Sequence, residues 1–228
     1  MSNGVDVSAT GLTKGSEPPV AHPLAVELAR VLAARTPVAV LLLGAGSGRN
    51  IPVFLGSGVT VDVLEQDPER ARHAKTGLDG AALRVTQGSY AGPYRFTTVF
   101  GGALSTHALL HGRRSEIVGA VAAIEASLAA GGLLYATFGS THDPRYGTGR
   151  RLEGQTFAPL RGRERGVPHV YFDEGDVRSL LANFDIEGLA EHSAAETAGH
   201  WAHSSEEMQT LVHWFVRASK RCSARFRN

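Results

Sequence analysis

The sequence predicts a doubly wound α/β domain, a mostly parallel sheet covered by helices on both faces. Three observations carry that prediction. A continuous apolar run at residues 38–43 reads as a strand buried on both sides, and three spaced glycines end it. Strand-like and helix-like segments then alternate as far as Phe138. The 228 residues suit one domain with a single core.

Residues 1–19 are rich in Gly, Ser, Thr and Pro and read as a mobile leader, lacking the basic and apolar regions of a secretory signal. Residues 20–220 form the expected single domain. Residues 23–34 carry Leu24, Leu28, Val31 and Leu32 at helical spacing, with Pro23 in the first turn. After the strand at 38–43, residues 50–55 start a helix that tolerates Pro52 near its beginning. Residues 59–65 are a second strand, and Asp67-Pro68-Glu69-Arg70 reads as a cap, a first-turn proline and a helix. A weaker third strand at 82–86 precedes a fourth at 96–102, whose Gly101 and Gly102 permit close approach by a ligand or a sharp turn. A helix at 115–129 presents Ile117, Val121, Ile124 and Leu128; Gly131-Gly132 stops it before a fifth strand at 133–138.

Residues 139–170, rich in Gly, Arg, Pro and Asp, form an excursion that such length ties to a lid or a substrate wall. A helix at 173–183, a strand at 184–189, a last strand at 212–218 and a basic tail at 221–228 complete the chain. In the last strand, alternation sends Val212, Trp214 and Val216 to one face and His213, Phe215 and Arg217 to the other, an architectural pattern.

Composition narrows the function. Lys and Arg total 23 against 22 Asp and Glu, which argues against a nucleic-acid binder that neutralises many phosphates. The run at 38–43 is too short to cross a membrane. Cys222, the single cysteine, sits among charged residues with nothing to activate it, and the lack of any disulfide framework suits the cytoplasm.

Gly44, Gly46 and Gly48 lie between a buried strand and a helix, where glycine reaches positive φ and leaves no Cβ in a ligand's way. Adjacent parallel strands end side by side, so Glu65 at the end of the second strand can reach the ribose of a nucleotide-like cofactor. The alternatives are a structural loop and a solvated residue at a helix start. A nicotinamide fits less well. The third glycine falls one residue earlier than in the dinucleotide fingerprint, and no second mononucleotide half follows Phe138.

The stretches Leu42-Leu-Gly-Ala-Gly-Ser-Gly-Arg-Asn, Val61-Asp-Val-Leu-Glu-Gln-Asp-Pro and Leu128-Ala-Ala-Gly-Gly-Leu-Leu-Tyr-Ala-Thr-Phe resemble the class I S-adenosylmethionine-dependent methyltransferases, in particular their small TehB-like members. The resemblance covers roughly residues 23–220. It implies a seven-stranded Rossmann-like sheet in the order 3-2-1-4-5-7-6 with the last strand antiparallel, and S-adenosyl-L-methionine as cofactor. It assigns Gly44, Ala45, Gly46, Gly48 and Asn50 to the cofactor loop, Glu65 to the ribose, and Gln66 to the adenosine, with Gly102 nearby. Many members carry Asp after the third strand to hold the adenine amino group. Ser89 stands there instead, with Tyr90 placed to stack on adenine.

The acceptor pocket is expected beyond strands 1 and 4, where Ser105, Thr106, His107 and His111 follow. Helical spacing would put His107 and His111 on one face, and an imidazole of ordinary pKa, near 6.5, can take a proton from an acceptor. One capping and one surface histidine is the alternative. A second wall, residues 164–174, offers His169 as a further catalytic candidate and Tyr171 and Phe172 as acceptor contacts, unless these rings only seal the core edge. A metal at His107 and His111 with His142 or Asp143 is disfavoured, because Ala108 stands where the zinc-protease motif needs Glu, and none is expected. The expectation is therefore methyl transfer to a small molecule, without nucleic-acid or membrane partners. The alternative is a non-catalytic module that binds the same cofactor.

Overall fold

The computed structural model describes residues 20–75, 82–162, 164–193 and 211–222. The expected leader at 1–19 and most of the expected tail lie outside these residues. The apolar run forms β1 (Ala39–Leu43), and the next strands are β2 (Thr60–Glu65), β3 (Leu83–Gln87), β4 (Phe100–Ser105) and β5 (Leu128–Ser140). They pair in parallel in the order β3-β2-β1-β4-β5. Three shorter strands follow, β6 (Arg150–Glu153), β7 (Thr156–Ala158) and β8 (His169–Phe172), then β9 (Phe184–Ser193) and β10 (Val212–Lys220). β10 lies antiparallel between β5 and β9, so the main sheet has the expected order and the expected reversed last strand.

Alternation along β1 explains the two layers. Val40 and Leu42 pack with Leu24, Leu28 and Leu32 of α1 (Pro23–Leu32) and with Phe54 of α2 (Ile51–Gly56). Leu41 and Leu43 face Ile117, Val121 and Ile124 of α4 (Arg114–Ser127), together with Phe138 and Trp214. β10 alternates as predicted, with Trp214 and Val216 in the second layer and Phe215 in the first. α3 (Pro68–Lys75) starts on Asp67, whose Oδ1 accepts from Glu69 N–H and Arg70 N–H, and α5 (Glu174–Leu180) starts on Asp173. Among the described residues no helix is long and apolar enough to cross a membrane.

Three expectations need correction. Strand 4 begins at Phe100, not residue 96, because β1 pairs only with Gly102–Leu104, leaving the β-branched residues 97–99 without a ladder. Gly101 and Gly102 make room for the chain entering β1 and for α1 instead of a ligand. A Cβ on Gly101 would stand 2.2 Å from the Pro37 carbonyl oxygen, and one on Gly102 would meet Leu32 at 3.0 Å. The excursion is no structureless loop. β6, β7 and β8 form an antiparallel unit, and β8 continues along β5 through Gly139–Tyr171 and Ser140–Phe172 pairing.

Candidate active site

At the carboxyl ends of β1, β2 and β4 opens a cleft of about 610 Å³, the place where open α/β sheets bind ligands. Gly44, Ala45 and Gly46 form one lip, and Glu65, Gln66 and Tyr90 form its floor. Gly44, Gly46 and Gly48 have φ of 85°, 53° and 78°, a left-handed conformation that costs a side-chain-bearing residue energy. A Cβ on Gly44 would also press on Ala108 at 3.0 Å.

Glu65 is buried, and its carboxylate ties this lip to the sheet. Oε2 accepts from Ala45 N–H at 2.7 Å and Gly46 N–H at 3.4 Å. Oε1 accepts from Asp67 N–H at 2.9 Å and from the Tyr90 hydroxyl at 3.1 Å. A carboxylate offers about four lone-pair directions, so these donors use nearly all of them. Burial and the adjacent carboxylate push the Tyr90 phenol upward, keeping it a donor. Asn50 is a cross-pin: its Nδ2 donates to Thr106 Oγ1 at 3.0 Å and its Oδ1 accepts from His22 N–H at 2.9 Å.

The opposite wall brings distant segments together: Thr106, His107, Leu110 and His111 after β4, Arg145 and Glu164 from the excursion, and His213 from β10. The segment after β4 is not helical. His107 has φ 59°, which breaks the expected shared face with His111, and its N–H donates to Thr137 Oγ1 at 2.8 Å. The His22, His107 and His213 rings form a layer, with centroids 5.7 Å apart for the first pair and 4.9 Å for the second. Burial first, then electrostatic repulsion from His213, His22 and Arg49, holds His107 well below the usual imidazole range. Burial takes His22 down to about 3 and His213 to about 4. The expectation of an ordinary imidazole pKa at His107 is therefore corrected.

His111 and His169 converge on one carboxylate. His111 Nε2 lies 3.1 Å from Glu164 Oε1, and His169 Nε2 lies 2.9 Å from Glu164 Oε2. Burial lowers His111, and its hydrogen bond to Glu164 works against that shift. His169 itself is buried behind Glu164 instead of lining the cleft.

Several other predicted site residues lie elsewhere. Gly102 is beneath α1, and Ser89 is exposed, accepting from Ala91 N–H at 3.2 Å. Gly48 turns the chain just behind the lip without lining the cleft. Phe172 is wholly buried in the core, and Tyr171 packs on Tyr146 and Phe157. Both point away because β8 joins the sheet and gives them a core role. Arg49, Arg70, Arg145 and His213 line the cleft without having been singled out as site residues. Arg49 had a readable signal, since it directly follows the glycine loop. Burial brings its guanidinium down to about 10, still cationic at neutral pH.

No protein-family description matches the chain, and no curated protein matches its sequence. Solved structures do. A methyltransferase dependent on S-adenosylmethionine from Methanosarcina mazei superposes with a TM-score of 0.66 at 18% identity, over 81% of this chain and 93% of that one. The 1,6-didemethyltoxoflavin-N1-methyltransferase of Burkholderia thailandensis, solved with its namesake ligand and S-adenosylhomocysteine, gives 0.59 at 21% identity, over 88% and 80%. TehB from Haemophilus influenzae gives 0.60 at 14% identity, over 87% of this chain and 61% of that one. At these identities the likeness speaks for architecture, and it agrees with the strand order: the chain has the Rossmann-like fold of the class I S-adenosylmethionine-dependent methyltransferases.

Proposed function

We propose that the protein transfers a methyl group from S-adenosyl-L-methionine to a small-molecule acceptor in the cytoplasm. One observation carries this most directly. Glu65, at the end of β2, faces the cleft beside the left-handed Gly44–Gly46 turn, so a single carboxylate joins loop and floor where a ribose diol would lie. The diol would replace the weakest of its present donors, Gly46 N–H at 3.4 Å, and the hydroxyl of Tyr90 at 3.1 Å. Gln66 would lie against the adenosine, and Arg49 would meet the α-carboxylate of the methionine part.

A sulfonium methyl is already activated, so aligning donor and acceptor supplies much of the rate. The wall opposite the glycine turn is the acceptor's side. There Thr106 and His111 offer polar contacts and Leu110, Val167 and Leu211 offer apolar ones. The depressed His107 ring is neutral at physiological pH and a weak base, which fits a contact that shapes the pocket better than one that carries the proton. Closure of the excursion over the bound pair belongs to the same proposal, since Arg145, Glu164 and Val167 already stand on the cleft.

The test is a screen of radiolabelled S-adenosylmethionine against chemically diverse metabolites, with mass analysis of products and calorimetry of S-adenosylhomocysteine. Binding and label transfer are expected. Tight binding with no transfer to any acceptor class would leave the alternative of a non-catalytic binding module, and absence of binding would end both readings.

A further inference from the structure

We propose that His111, Glu164 and His169 form a divalent transition-metal site on the acceptor wall. This deepens the methyl-transfer reading and rests on it for its use, although the metal site itself is tested without it. Among the described residues these three bring one donor atom each to within 4.8 Å of one another. The contacts on Glu164, 3.1 Å from His111 Nε2 and 2.9 Å from His169 Nε2, are close to the roughly 3.0–3.4 Å that separates neighbouring ligands around an ion held at about 2.1 Å.

The tautomer of His169 points the same way. Its Nδ1 lies 2.9 Å from the Val167 carbonyl oxygen, and a carbonyl only accepts, so Nδ1 carries a proton. That leaves Nε2 as the atom facing the carboxylate at 2.9 Å, where either a proton or a cation can bridge the two. An imidazole whose second nitrogen donates to a backbone carbonyl is the usual orientation of a metal-ligating histidine. Pairing of the two strand-edge segments fixes the geometry, because His111 and His169 form an antiparallel bridge and their rings meet edge-to-face at 4.7 Å.

Arg145 Nη1 stands 3.7 Å from Glu164 Oε2 and would repel a cation. Its charge is balanced by the buried Asp143, which accepts from its Nε at 3.0 Å and its Nη2 at 3.3 Å. Two imidazoles and one carboxylate suit Zn²⁺, Fe²⁺ or Mn²⁺, with the remaining positions left for water or substrate. His111 and Glu164 line the cleft, so those positions belong to the acceptor. The acceptor class is therefore a hydroxyl or thiol that binds the metal as an alkoxide, phenolate or thiolate. It gives up its proton to solvent on binding and attacks the sulfonium methyl as the carbon–sulfur bond of the donor breaks. The metal thus takes over the deprotonation that the depressed His107 performs poorly.

The experiment is a Co²⁺ titration of the chelator-treated full chain, followed by visible d–d absorption and calorimetry, then Zn²⁺ competition. One Co²⁺ per chain is expected, with affinity reduced tenfold or more in Glu164→Gln and His111→Ala and unchanged in His142→Ala, which alters a histidine outside the group. Circular dichroism reports whether each variant folds. Should both site variants unfold, the wild-type titration decides alone. No Co²⁺ uptake by folded wild-type protein overturns the proposal, as does equal affinity in folded Glu164→Gln. A doubly protonated His169 ring by ¹⁵N NMR, unaltered by added Zn²⁺, also overturns it. S-adenosylhomocysteine calorimetry on the same samples separates the two readings: binding without metal uptake leaves methyl transfer standing, and metal uptake without that binding removes methyl transfer and keeps the site.

Discussion

The two walls of the cleft are built on opposite principles. The glycine-turn side comes from neighbouring strands, β1 and β2, and is held by one carboxylate that grips three backbone N–H groups. The opposite side comes from the segment after β4, the excursion and β10, and is held by side chains gripping side chains: His111 and His169 on Glu164, and Arg145 on Asp143. Backbone-held geometry survives most surface variation, whereas side-chain networks change with one substitution. A fold of this kind can thus keep one wall of its cleft and vary the other.

The largest effect should fall on the acceptor wall. With the acceptor returned by the labelling screen, Glu164→Gln is expected to lower turnover about 10²-fold while leaving S-adenosylhomocysteine affinity intact, and His107→Gln to lower it less than tenfold. The reverse ranking in steady-state kinetics would return the proton-accepting role to His107. On the cofactor wall, Glu65→Ala should weaken S-adenosylhomocysteine by at least about 1 kcal/mol in calorimetry. It should also cost roughly 1–3 kcal/mol of stability in urea, because the Ala45, Asp67 and Tyr90 donors lose their acceptor. Unchanged affinity in the folded variant removes Glu65 from the ribose.

Arg49→Ala should weaken S-adenosylhomocysteine by about 1.5–3 kcal/mol, the scale of a hydrogen bond to a charged group, while 5′-methylthioadenosine, which has no carboxylate, binds as before. Parallel losses for both ligands would show that Arg49 only supports the loop. Gly44→Ala should cost roughly 1–2 kcal/mol of stability from its left-handed conformation alone. A neutral result in urea unfolding would mean that the turn relaxes without its glycine.

A pH dependence of stability is expected as well. His22 and His213 titrate at about 3 and 4 in the folded protein, below the ordinary value of about 6.5 in an unfolded chain. Between those limits the unfolded state binds more protons, so stability is full above about pH 6.5 and declines as pH falls toward 4. Melting temperatures across that range should drop toward acid, and less steeply in His213→Asn. A flat profile would show that the histidine layer titrates normally.

Local rules made much of this legible in advance. The apolar run of β1 and its glycines, the strand-end acid Glu65, and the Asp67 and Asp173 caps depend on neighbouring residues, and the structure places each in the expected element. What misled was contact across the chain. Gly102 looked free for a ligand until α1 lay on it, and Phe172 looked like a pocket ring until β8 joined β5.

The sequence by itself determined the order of elements as far as β5, the left-handed turn and the acid beside it, because hydrophobic period and backbone conformation act over a few residues. Only the tertiary structure decided that Glu164 stands between His111 and His169, and that His213, opposite Gly139 on β5, reaches the cleft. Those meetings depend on strand register and on how a long excursion closes. Both are settled by the packing of the whole sheet, which no local pattern encodes.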